Sequence, residues 1–260
     1  MLIEEITSYL EEVAPLALQE SYDNAGLLTG SKAWEAKGAI VCLDSTEEVI
    51  LEAIEKDCNM VIAHHPIIFN GLRHLTDLHY VERTIIRAIK HDVAIYAIHT
   101  NLDNVLKDGV NEKIAQRLSL DNIRVLAPKE SLTVGGGVIG QLSQPMQPEE
   151  FFDFVKDKMQ TACIRHTKVL EKPISKVAVC GGSGRFLLSD AIAQNADVFI
   201  SADFKYHEFF DANDEITILD IGHYESEQFT IELIQDLLTR KFANFAAHCT
   251  QVVTNPINYT

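Results

Sequence analysis

The chain has 260 residues, 47% of them hydrophobic, with 38 acidic residues against 22 basic ones and a formal charge of −16. That is enough apolar material for one large or two modest domains. An acidic surface without a Lys/Arg stripe repels phosphate backbones and argues against strong nucleic-acid binding, and no apolar run approaches the roughly 20 residues of a membrane span.

The N-terminus carries acids where a signal peptide carries bases, so a cytoplasmic location is expected. The pattern of Leu2, Ile3, Ile6, Leu10 and Val13 predicts an amphipathic helix, and Tyr22 to Gly26 reads as a turn. Ala39 to Leu43 is a short buried strand. A helix over Ser45 to Asp57, capped by Ser45, leads to a strand at Met60 to Ala63 and then to His64-His65-Pro66. A helix at Tyr80 to His91 precedes a strand at Val93 to Ile98, which runs into His99-Thr100-Asn101-Leu102-Asp103. A helix from Gly109 to Leu118 follows. This alternation predicts α/β units with largely parallel sheets.

Beyond Ala127 the character shifts. Gly135, Gly136, Gly137 and Gly140 interrupt a strand, and Pro148 to Met159 reads as a helix. Val177 to Cys180 is a buried strand that opens into the loop Gly181 to Arg185 and a helix through Leu187 to Ala193. Further strands are expected at Asp197 to Ser201 and Ile216 to Ile221, then one long helix from His223 to about Phe242. Five cysteines form no C-x-x-C pair, which fits reduced, buried thiols.

The chemistry lies in where the histidines and acids fall. Ligands collect beyond the carboxyl ends of parallel strands. His64 and His65 follow one strand, His99 and Asp103 the next, and His223 a third. Neighbouring histidines on a strand point to opposite faces, so His64 and His65 share a site only if Pro66 marks the strand end, or each serves a different ion. His223 and Glu227, four apart, share a helical face; Glu225 fits that face less well. Imidazoles and carboxylates without a thiolate suit two divalent ions such as Zn, Mn, Fe, Co or Ni, and argue against a structural zinc knot.

His99 is a ligand, a donor that orients Asp103, or a substrate partner, with His207 as a second candidate for proton transfer. The Gly181 to Arg185 loop is either a tight turn or an anion cradle using Ser183 and Arg185. Asp203 and Lys205 are candidate substrate contacts, or members of a solvated loop.

Six blocks together resemble the NIF-three-like dinuclear-metal proteins, often named GTP cyclohydrolase I type 2 homologs. They are Tyr22 to Leu27, Ala63 to Pro66, His99 to Asp103, Cys180 to Gly184, Ser201 to His207 and Gly222 to Glu227. The resemblance implies a two-lobed α/β fold, each lobe a mostly parallel sheet flanked by helices, with the metal site in the cleft between lobes. Residues 1–126 and 221–260 form the expected first lobe, and 127–220 the second. It also implies a dimetal site on His64, His65, Asp103, His223 and Glu227, with two divalent ions per subunit. Glu227 would be the bridging and catalytic carboxylate, in a ring-shaped homohexamer. One departure is Ala202, where the family usually has Gly. The implied activity is metal-dependent hydrolysis of a small nucleotide-like substrate. The alternative is a non-catalytic metal-binding scaffold that presents surfaces to partner proteins.

Overall fold

A computed structural model describes residues 1–260. Helix α1 (Ile3–Val13) buries Ile3, Ile6 and Leu10 along one stripe. It is followed by β1 (Gly26–Thr29), β2 (Ala39–Cys42), α2 (Glu47–Glu55), β3 (Met60–Ala63), α3 (Tyr80–Lys90) and β4 (Ala94–Ala97). The cap of α2 is Thr46, whose side chain accepts from the Val49 amide at 3.4 Å, and not the expected Ser45, which is buried. Next come the single turn α4 (Thr100–Asp103), α5 (Val110–Arg117), β5 (Leu120–Ser131), β6 (Val134–Met146), α6 (Pro148–Met159) and β7 (Arg165–His166). Then follow β8 (Ile174–Ser183), α7 (Leu188–Ala193), β9 (Val198–Ala202), a 3-10 helix over Tyr206–Ala212, β10 (Thr217–Asp220) and α8 (His223–Glu227). The chain closes with α9 (Thr230–Lys241) and β11 (Ala247–Cys249).

The single long helix expected from His223 is therefore two, interrupted at Gln228 and Phe229. Gln228 Nε2 donates to the Met159 carbonyl at 2.9 Å, and the Arg117 guanidinium lies 3.4 Å over the Phe229 ring. These tertiary contacts override the local helical pattern.

Two compact units result. The first comprises Met1–Leu102 and Thr230–Pro256, the second Asp103–Phe229 and Ile257–Thr260. The divisions fall after Leu102 and Phe229, not at the expected 126 and 220. α5 packs on β5, β6 and β8 and so joins the second sheet.

In the first unit the strand order is β1-β4-β3-β2-β11, parallel except for β1 against β4. All residues of β2, β3 and β4 are buried, as a parallel sheet covered on both faces requires. Ile40, Val61 and Ile95 pack against Val49, Ile50, Ile85 and Ala88 of α2 and α3. The alternate set, Val41, Ile62 and Tyr96, points to the other face.

The second sheet, β5-β6-β8-β9-β10-β7, is mixed and not mostly parallel. Only β8, β9 and β10 run parallel to one another, and a long β5–β6 hairpin and the short edge strand β7 pair antiparallel around them. β8 extends to Ser183, so Gly181 to Ser183 are strand and not loop. No helix is long and apolar enough to cross a membrane. The five cysteines are free; Cys42, Cys58 and Cys180 are buried, whereas Cys163 is exposed.

Candidate metal centre

Register explains how the first unit gathers its histidines. Parallel pairing sets Cys42 beside Ala63 and Ala63 beside Ala97. The residues just beyond, Asp44, His64, His65 and His99, therefore leave the sheet at one edge. The ladder runs on briefly, since the His64 and His65 amides donate to the Cys42 and Leu43 carbonyls at 3.1 and 2.9 Å. It then ends before Pro66, and the two rings turn together, with centroids 5.0 Å apart. His99 lies 5.3 Å from each. One ligand atom from each of His64, His65 and His99 lies within 4.8 Å of the others, a spacing that could hold a metal ion.

Each ring is held from behind. His64 Nδ1 bonds the Ile98 carbonyl at 2.9 Å, His65 Nδ1 the Asp44 carboxylate at 2.8 Å, and His99 Nδ1 the Asp23 carboxylate at 2.8 Å. A proton on Nδ1 directs the other lone pair through Nε2, the arrangement of a metal-ligating histidine. Burial pushes the Asp23 carboxyl up, but hydrogen bonds from His99 and Thr100 outweigh it and hold the pKa at about 2. Asp44 is likewise held below its ordinary value, by His65 and Thr254 against burial. Both acids thus stay ionised at neutral pH, fixing their imidazoles. In the sequence Asp23 carries only the mark of a turn residue, and no motif marks Asp44. The available signal was position, because Asp44 sits two residues beyond β2, on the same edge as the histidines.

The second unit carries the other candidate ligands. Parallel register sets Ser201 beside Asp220, which brings Asp203 level with Gly222 at the start of α8. His223 Nδ1 then bonds Asp203 at 2.6 Å, while Nε2 lies 3.1 Å from Glu227 Oε2. Burial lowers the His223 pKa, but the two carboxylates overcome it and push the value up to about 11. Glu227 is 3% exposed. Such a buried carboxylate requires a cation or proton beside it. Burial, then the charges of Asp103 and Glu227, push the neighbouring Cys180 thiol far up. Cys180 therefore stays a neutral thiol.

The glycines of β8 make room for these donors. A Cβ on Gly182, where φ is +59°, would lie 2.3 Å from Glu227 Oε1 and 3.2 Å from His223 Cε1. The amides of Gly181 and Gly182 are committed to Asn111 Oδ1 at 3.0 Å and Ser226 Oγ at 2.8 Å, so they do not form the anion cradle considered above. Arg185 pairs with Asp211, and Ser183, Lys205 and His207 are exposed. Ala202 ends β9 with ordinary backbone; the left-handed residue is Asp203, at φ +60°, which an Asp tolerates. The departure at Ala202 thus leaves that loop intact.

Residues 1–256 match the model of the Duf34/NIF3 (NGG1p interacting factor 3) family. The chain belongs to this family. A GTP cyclohydrolase 1 type 2 homolog from Clostridium acetobutylicum is 34% identical over 86% of this chain and 85% of its own length. A solved Staphylococcus aureus hypothetical protein superposes with a TM-score of 0.95 at 30% identity, over 100% of this chain and 99% of its own. A Bacillus cereus protein related to NIF3 superposes at 0.92 and 26% identity, with the same coverage.

Proposed function

We propose that this family member is a dinuclear metal-dependent hydrolase of a small, nucleotide-like molecule, with His64, His65, Asp103, His223 and Glu227 as metal ligands. The observation that carries the reading is shared by the three histidines of the set. His64, His65 and His223 each rest Nδ1 on a carbonyl or carboxylate, which directs Nε2 to ligation. The donor chemistry fits Zn, Mn, Fe, Co or Ni, and the relatives' shared name supports the nucleotide-like class.

When bound, two such ions supply Lewis acidity and a source of hydroxide at neutral pH. Glu227, with two carboxylate oxygens, would help to hold the ions and balance their charge. His99, its Nδ1 anchored on ionised Asp23, and the exposed His207 are the candidates for proton transfer. Asp203 first of all orients His223, and Ser183, Lys205 and Arg185 are left to meet substrate. The homohexamer implied by resemblance belongs to the same proposal.

Elemental analysis of purified protein, with hydrolysis assays on GTP, cyclic nucleotides and phosphoesters, tests this. Turnover should vanish on chelation and return with Mn or Zn. Glu227→Gln should lose metal and at least on the order of 100-fold in rate. Stoichiometric metal without turnover on any of these substrates would overturn the hydrolase and favour the scaffold.

A further inference from the structure

Within the second unit, between β7 and the 3-10 helix Tyr206–Ala212, lies a cavity of about 690 Å³. None of the metal donors lines it. Its size falls in the range of roughly 300–1,000 Å³ typical of small-molecule pockets.

One wall is aromatic. Phe209 is half-buried against the core beside Phe204, whereas Tyr206 and Phe210 are 73% and 69% exposed. Their rings meet edge to face at 5.8 Å. Three aromatics on one short 3-10 element exceed what the core uses, since only Phe209 packs inward.

The other wall carries Arg165 and Lys168. β7 pairs with β10 so that Arg165 stands opposite Asp220, and strand alternation puts Thr167 on the same side as Arg165. Arg165 Nη2 donates to the Phe204 carbonyl at 3.0 Å and to the Asp220 carboxylate. Its guanidinium carbon lies 5.4 Å over the Phe209 ring. Arg165 is thus fixed in place, with part of its charge spent on Asp220. Lys168 is exposed at the rim, and Asp214 is the acid among the lining residues. The hollow thus joins exposed aromatic rings to one cation that Asp220 does not pair, Lys168, in a chain of net charge −16.

We propose that this cavity is a binding site for a planar aromatic anion, its ring on Phe210 and Tyr206 and its negative group toward Lys168 and Arg165. A bare anion would leave the rings wet, and a neutral ring would leave Lys168 at the rim unanswered. The combination selects a ligand with both. The proposal is independent of the hydrolase reading, because no metal donor takes part.

Titration of the metal-stripped protein with 2-naphthalenesulfonate, neutral 2-naphthalenemethanol and inorganic sulfate tests it, with hydrolysis excluded by the choice of probes. The sulfonate should bind saturably, about tenfold more tightly than the alcohol, and sulfate should show no comparable binding. Phe210→Ala should weaken both ring compounds by about tenfold. Lys168→Glu should weaken the sulfonate by about tenfold and leave the alcohol unchanged. Both side chains are exposed, so the variants should fold. Absence of saturable sulfonate binding, equal affinity for the alcohol, or wild-type binding by both variants would overturn the proposal.

Discussion

His223 lies between Asp203 and Glu227, and the two carboxylates together outweigh the cost of burying its charge. Its pKa is raised from 6.5 to about 11, so its proton stabilises the metal-free fold. That contribution is complete below about 6.5 and is lost as pH rises through about 11. Denaturant titrations of metal-free wild type and His223→Asn should therefore show a stability gap that narrows as pH is raised across this window. A gap that stays constant would contradict the assignment. A divalent ion taken up at Nε2 must displace the same proton, so metal affinity should rise with pH and binding should release protons to buffer. On the first unit's side, the orienting acids are what sequence could not supply. Nothing in the spacing pairs Asp44 with His65 or Asp23 with His99 until the register of β2, β3 and β4 is known.

Among the elements, the end of β8 is the most tightly constrained by the site. Gly182 has a left-handed backbone, and its missing side chain is replaced by the Glu227 carboxylate. Gly182→Ala should cost about 2 kcal/mol from backbone strain and overpacking together. It should also lower metal affinity by at least about tenfold, because Glu227 must move. Calorimetry of the variant with and without metal separates the two effects, and an unaltered melting temperature and affinity would show that Gly182 is dispensable. The glycines were visible in the sequence, but their purpose was not, since a tight turn, an anion cradle and a space for a buried acid all ask for the same residue. Elements were legible where hydrophobic pattern and burial coincide. The apolar runs of β2, β3 and β4 and the Pro-initiated α6 fall close to their predicted bounds. Edge elements were not. β5 is long but polar and contains Pro128, β7 has two residues, and β11 has three, so none produces a strong two-residue periodicity.

At the scale of the whole chain, the covalent path passes between the two compact units at Leu102–Asp103, at Phe229–Thr230 and again at Pro256–Ile257. The sequence made two lobes legible but misplaced their limits, because α5 carries no mark of which sheet it covers. Were His64 and His65 to ligate together with Asp103, His223 and Glu227, as proposed, ligation would couple the folding of both units. A ligand that binds only the folded state stabilises by about 2.7 kcal/mol at a hundred times its dissociation constant. Where that ligand needs both units, the gain is lost as soon as either one opens. Differential scanning calorimetry should therefore show a metal-loaded protein melting in one shifted transition, and the chelated protein melting earlier with the transitions of the units free to separate. Glu227→Gln should remove the shift for both units, although the substituted residue lies in only one of them. If metal moves the transition of a single unit and leaves the other where it was, the five donors do not serve a common centre.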